Sequence, residues 1–118
     1  MIYTSVREIL GTERDVAGEG WRSRRLVLAG DGLPFSVHET VVEAGSELRF
    51  CYRRHSETVY CVEGEGSIEE VGGGGARRLE PGTLYSVGIG EDHLVRADTD
   101  VRFLCIFEPA CEADETAD

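Results

Sequence analysis

Four short stretches of the chain place polar and aromatic side chains at every second position. Trp21, Ser23 and Arg25 form one set, and Ser36, His38 and Thr40 a second. Phe50, Tyr52 and Arg54 form a third if their strand continues, and Phe103, Cys105 and Phe107 a fourth. Alternate residues of an extended chain share a face, so each set lines one side of a strand. A plain core fills its inward faces with aliphatic residues. A mixture of hydroxyl, imidazole, guanidinium, thiol and aromatic groups is better suited to the wall of a small-molecule pocket. The alternative, a face turned to solvent, stays open for His38 and Tyr52.

The elements that position these sets are β-strands. Runs rich in Val, Leu, Ile, Phe and Tyr occupy 25–28, 35–43, 47–53, 58–63, 67–71, 83–87, 94–97 and 101–107. Gly, Pro, Asp and Glu separate them at 30–34, 44–45, 64–66, 72–75, 81–82, 88–92 and 98–100. One segment reads as a short N-terminal helix: Ser5 to Glu8 fits a capping box, Val6, Ile9 and Leu10 make an apolar stripe, and Gly11 stops it. Many short strands without long helices predict an all-β sandwich or barrel. The spacing predicts a single domain over 1–110 and an acidic, disordered tail over 111–118, because Glu112 to Asp118 has no periodicity.

Bulk properties narrow the chemistry. With 118 residues the core is large enough to fold without a metal, so a metal would serve chemistry first. A formal net charge of −11 argues against nucleic acid, which requires clustered Lys and Arg. No apolar run approaches the roughly 20 residues of a membrane helix, and the start lacks a secretion signal, so the expected compartment is cytoplasmic. The four cysteines form no CxxC pair, which disfavours a zinc ribbon. Cys61 and Cys105 are expected to be free thiols inside strands. The glycines at 72–75 are a hairpin tip and no phosphate loop, since no helix or Lys-Ser/Thr follows.

Two spaced patterns carry a resemblance. Gly45, Cys51, Arg53, Glu57 and Gly64 follow the first cupin motif, with Cys51 and Arg53 standing where that motif has two metal-binding histidines. Gly82, Gly88, Gly90 and His93 follow the second, with Gly88 in place of its proline. The fold this implies is a cupin-type barrel, the double-stranded β-helix or jelly roll. Over about residues 1–110 the chain is similar to ectoine synthase. The resemblance is carried by segments 11–16, 21–25 and 35–40, by Val59-Tyr60-Cys61-Val62-Glu63-Gly64-Glu65-Gly66, and by Pro81-Gly82-Thr83-Leu84-Tyr85.

That resemblance implies Fe(2+) held by Glu57, Tyr85 and His93, and a carbon–oxygen hydro-lyase. The implied reaction cyclises N-γ-acetyl-L-2,4-diaminobutyrate to ectoine with loss of water, in compatible-solute synthesis for osmoprotection. A carboxylate, a phenolate and an imidazole together suit iron, and a phenol ligates at neutral pH only beside a cation. The plainer reading has Tyr85 in the core, Glu57 at the barrel mouth and His93 in a turn.

For such a substrate, Arg25 is expected to grip the carboxylate bidentately, and Trp21 and Phe107 to wall the pocket. Ser23, His38, Thr40 and Cys105 complete the expected substrate contacts. Tyr52 and His55 are the candidate acid–base groups. Family members resemble homodimers, and their longer tails close over the pocket; here only residues 112–118 stand in that place. Two rivals remain: a paralogue acting on another small amide, and a non-catalytic cupin module that binds a small metabolite.

Overall fold

Residues 1–115 are described by a computed structural model. A four-residue helix α1 (Val6–Ile9) opens the chain, capped by Ser5, whose Oγ accepts the Glu8 amide at 3.2 Å. Ten strands follow: β1 (Asp15–Gly18), β2 (Trp21–Val27), β3 (Ser36–Val42), β4 (Glu47–Phe50), β5 (Ser56–Glu63), β6 (Gly66–Glu70), β7 (Ala76–Leu79), β8 (Leu84–Val87), β9 (His93–Ala97) and β10 (Val101–Glu108). They pair antiparallel throughout, in a six-stranded sheet of order β1-β2-β3-β10-β5-β8 and a four-stranded sheet of order β4-β9-β6-β7. The expected all-β barrel of cupin type is the observed architecture. Among the described residues no helix is long and apolar enough to cross a membrane.

Between the sheets lies one apolar cluster that includes Val42, Val59, Cys61, Leu79, Val95, Val101 and Phe103. The large sheet feeds it through strict alternation, and Val101, Phe103, Cys105 and Phe107 of β10 are all buried. The chain crosses from β5 in the large sheet to β6 in the small one at Gly64. Its φ of +93° is left-handed, and a Cβ there would lie 2.1 Å from the Asp100 carbonyl oxygen. Only glycine fits that crossing.

Register, more than any single strand, organises the inward face. Arg25 pairs with His38, His38 with Cys105, Cys105 with Val59, and Val59 with Tyr85, in one row across five strands. The adjacent row runs Ser36, Phe107, Glu57, Val87. A third runs Ser23, Thr40, Phe103, Cys61. Residues spread between positions 23 and 107 of the sequence thereby face the same space.

The expected elements differ from the observed ones in five places. Strands β1 and β7 were not expected, because Asp15, Gly18, Arg77 and Arg78 carry weak strand propensity. Both are edge strands, where charge is tolerated and deters further pairing. Strand β2 begins at Trp21 rather than at residue 25. Strand β4 ends at Phe50 rather than 53, so the alternation breaks: Tyr52 faces the pocket, while the Arg54 side chain is 71% exposed. Residues 111–115, expected as disordered tail, pack on the barrel: the Cys111 carbonyl accepts the Ala29 amide at 2.9 Å, and the Cys111 amide donates to Ser36 Oγ at 3.1 Å. The rest of the expected tail, 116–118, lies outside the described residues.

Candidate active site and metal centre

The inward rows end in a pocket that opens to solvent. Trp21, Ser23 and Arg25 enter from β2, and His38 and Thr40 from β3. Glu57 enters from β5, Tyr85 from β8, and Cys105 and Phe107 from β10. Tyr52 and His55 reach it from the loop after β4. His93, from β9, is not part of the lining; it is fully buried with its Nε2 3.7 Å from Glu57 Oε1. The pocket also takes in Phe50, as alternation expects, and Cys111 and Glu115, which the strand alternation did not single out. Cys111 and Glu115 sit beyond the last strand, where no periodicity marks a side chain as inward.

Polar satisfaction sets this region apart from the rest of the protein. Among the described residues, three buried side-chain atoms lack a hydrogen-bond partner: Arg25 Nε, His38 Nε2 and His93 Nε2. Native proteins rarely leave such groups unpaired, and all three belong to residues at this one place. The Arg25 side chain, 3% exposed, has its Nη1 donating to the Ala113 carbonyl at 2.7 Å and faces no carboxylate within ion-pair distance among the described residues. Burial lowers its pKa, offset in part by neighbouring Cys111 and Glu115, yet a guanidinium stays charged. A buried, unneutralised cation is a receptor for an anion. The His38 pKa falls to about 3, through burial and then the nearby Arg25 charge, so its imidazole is neutral and presents one ring nitrogen to the pocket.

Glu57, Tyr85 and His93 are neighbours toward the β8 end of the large sheet. His93 Nε2 lies 3.7 Å from Glu57 Oε1, and the Tyr85 ring centroid lies 6.1 Å from that of His93. His93 Nδ1 is 3.1 Å from the Glu91 carbonyl; burial lowers its pKa, but Glu57 and that carbonyl outweigh it and raise it, so without a metal the ring favours a proton on the nitrogen that faces Glu57. A backbone carbonyl holding the far nitrogen is the usual support of a metal-bound histidine. Burial raises the Tyr85 hydroxyl pKa well above its ordinary value, and the Glu57 charge raises it further. An oxygen donor, an imidazole nitrogen and a phenol that only a cation would ionise fit a metal ion. Tyr52 is raised in the same way by burial and by Glu57; it therefore keeps its proton.

His55 is engaged at both nitrogens. Nδ1 is 2.7 Å from the Pro109 carbonyl, and Nε2 contacts the Glu115 carboxylate. The donor atoms of His55, Cys111 and Glu115 lie within 4.8 Å of one another at the lip of the pocket. The tail thus folds over the site, with Glu115 on His55 and Ala113 on Arg25 among its polar attachments.

The ectoine synthase family model matches residues 1–118. The chain belongs to that family. It is 47% identical to the L-ectoine synthase of Desulfosudis oleivorans, over all of this chain and 92% of that protein. Among solved structures, ectoine synthase from P. lautus superposes with a TM-score of 0.91 at 41% identity, over 96% of this chain and 81% of the other. A cupin from Shewanella frigidimarina, 24% identical, superposes with a TM-score of 0.70 over 83% of this chain and 84% of the other; this likeness concerns the fold alone. Within the ectoine synthase family, the pocket just described is the candidate active site.

Proposed function

We propose that this pocket carries out the family's reaction with Fe(2+) held by Glu57, Tyr85 and His93. The chain is an ectoine synthase-type hydro-lyase, as the full-length family match supports. The single observation that carries the site assignment is the convergence of three orphaned buried nitrogens, Arg25 Nε, His38 Nε2 and His93 Nε2. When bound, the metal supplies Lewis-acid polarisation of a substrate carbonyl.

The protein's own groups do the rest. Arg25 grips the substrate carboxylate, replacing the missing counter-charge. His38, Thr40, Ser23 and Cys105 orient the polar ends, and the neutral His38 leaves the attacking amine unrepelled. Trp21 and Phe107 wall the pocket and exclude water, which favours a condensation that expels it. Tyr52, kept protonated by its surroundings, passes its proton to the departing hydroxyl and recovers one from the attacking amine, so that the oxygen leaves as water with two protons from that nitrogen. His55, with both nitrogens engaged, acts as a positioning residue that holds the tail. Holding amine and amide carbon in one folded pose replaces a costly encounter in solution.

Tyr60 and Leu84 are cross-strand partners that sit 44% and 59% exposed on the outer face of the large sheet. Such a patch, beside the open edge of β8, supports a homodimer in the cytoplasm. The test of function is incubation of iron-loaded protein with N-γ-acetyl-L-2,4-diaminobutyrate, followed by NMR. Ectoine should accumulate; unchanged substrate with full iron occupancy refutes the assignment.

A further inference from the structure

We propose that Gly18 is a positioning residue for the pocket: it is the seat of the Trp21 indole, and it sets how far that ring stands back from the space where the substrate binds. This rests on the reading of the pocket as the active site, and Gly18 itself lies outside the lining.

The backbone does not call for glycine here. Gly18 ends β1, at the exposed edge of the large sheet, and it is not among the glycines with left-handed φ. Two residues on, Gly20 has a φ of +81°, a conformation that favours glycine. Position 18 carries no such demand. Glycine in a strand weakens it, and it marks a place where another group comes close.

That group is the Trp21 ring. The two residues are cross-strand partners, and such partners share a face of the sheet. A Cβ on Gly18 would lie 2.5 Å from Trp21 Cε2, 2.5 Å from Nε1 and 2.6 Å from Cζ2. Carbon atoms in ordinary contact stand about 3.5–4.0 Å apart, so an added methyl group displaces the ring by roughly 1 Å.

The hairpin that carries this seat is pinned to the barrel. The Glu43 amide donates to the Gly20 carbonyl at 2.9 Å, and a Cβ on Gly20 would meet Ser46 Oγ at 2.7 Å. On its other side Trp21 pairs with Val42, which is buried and lines the same pocket. With β1 held, a ring pushed off Gly18 moves toward Val42 and into the pocket. The seat therefore fixes the width of the pocket at its Trp21 end, along β2 from Arg25.

Trp21 is the only tryptophan in the chain, so tryptophan fluorescence reports this ring alone. In the full-length protein, Gly18→Ala should change acrylamide quenching of that fluorescence at least twofold. In the iron-loaded protein it should raise KM for N-γ-acetyl-L-2,4-diaminobutyrate at least fivefold, with kcat within twofold of the parent. A Trp21→Leu background has no indole to seat, and there Gly18→Ala should shift KM less than twofold. Unchanged quenching, a KM within twofold of the parent, or an equal rise in KM with and without the indole each overturn the seat. Quenching is read without turnover. A parent that fails to cyclise the substrate refutes the proposed function, while the difference in quenching between parent and Gly18→Ala still decides the seat.

Discussion

His93 Nε2 faces Glu57 Oε1 across 3.7 Å, sealed from solvent and without a hydrogen-bond partner of its own. Against the lowering by burial, Glu57 helps to raise the His93 pKa, so a proton is held between the pair in the metal-free protein, and a metal ion binding both residues would displace it. Glu57→Ala and His93→Ala should each lose bound iron and cyclisation together, as read by metal analysis and product NMR. Stoichiometric iron in both variants refutes the ligand set.

Arg25 separates binding from stability. Among the described residues its buried guanidinium has no carboxylate partner, so a hydrophobic side chain of similar length removes a desolvation cost. Arg25→Met should leave the melting temperature equal or raised, while KM rises by roughly 100-fold or more, about 3 kcal/mol of lost carboxylate recognition. A KM within a factor of three of the original would place the substrate carboxylate elsewhere.

His38 makes stability pH-dependent. Its pKa drops from 6.5 to about 3 on folding, first through burial and then through Arg25. The unfolded chain binds the proton that the folded chain refuses, so this contribution is intact above about pH 6.5. It is lost as pH falls toward 3, at roughly 1.4 kcal/mol per unit. Denaturant melts of His38→Asn against the parent between pH 4 and 7 should show a shallower decline in the variant; parallel curves would count against a neutral buried imidazole.

Gly64 is a backbone requirement. With φ at +93° and the Asp100 carbonyl 2.1 Å from an added Cβ, Gly64→Ala should destabilise by about 2 kcal/mol or more. The expected drop in melting temperature is on the order of 10 °C, measured by calorimetry. A change under 2 °C would mean that the crossing relaxes freely.

The tail attachment is checked by hydrogen exchange. Glu115→Ala removes the carboxylate on His55, so the Ala29 amide, which donates to Cys111, should exchange at least tenfold faster. Amides of β10 should not change. Uniform protection in parent and variant would make the Glu115 contact incidental.

Alternation and turn residues determined much by themselves: eight of the ten strands, the inward face of β10, and the pairing of Ser36 with His38 and Thr40 on one wall. Those features are local, since a two-residue period is written in the chain itself. Motif spacing likewise singled out Glu57, Tyr85 and His93 through the resemblance it carries. Tertiary structure alone decided the rest. Cross-strand register set Arg25 beside His38 and His38 beside Cys105, and no pattern in a single strand encodes its offset against another. The early end of β4 turned Arg54 outward and brought His55 in. Residues 111–115 have neither periodicity nor apolar content, yet Cys111 and Glu115 complete the pocket. Their place is dictated by partners up to 88 positions away, a distance over which only the folded chain can bring groups into contact.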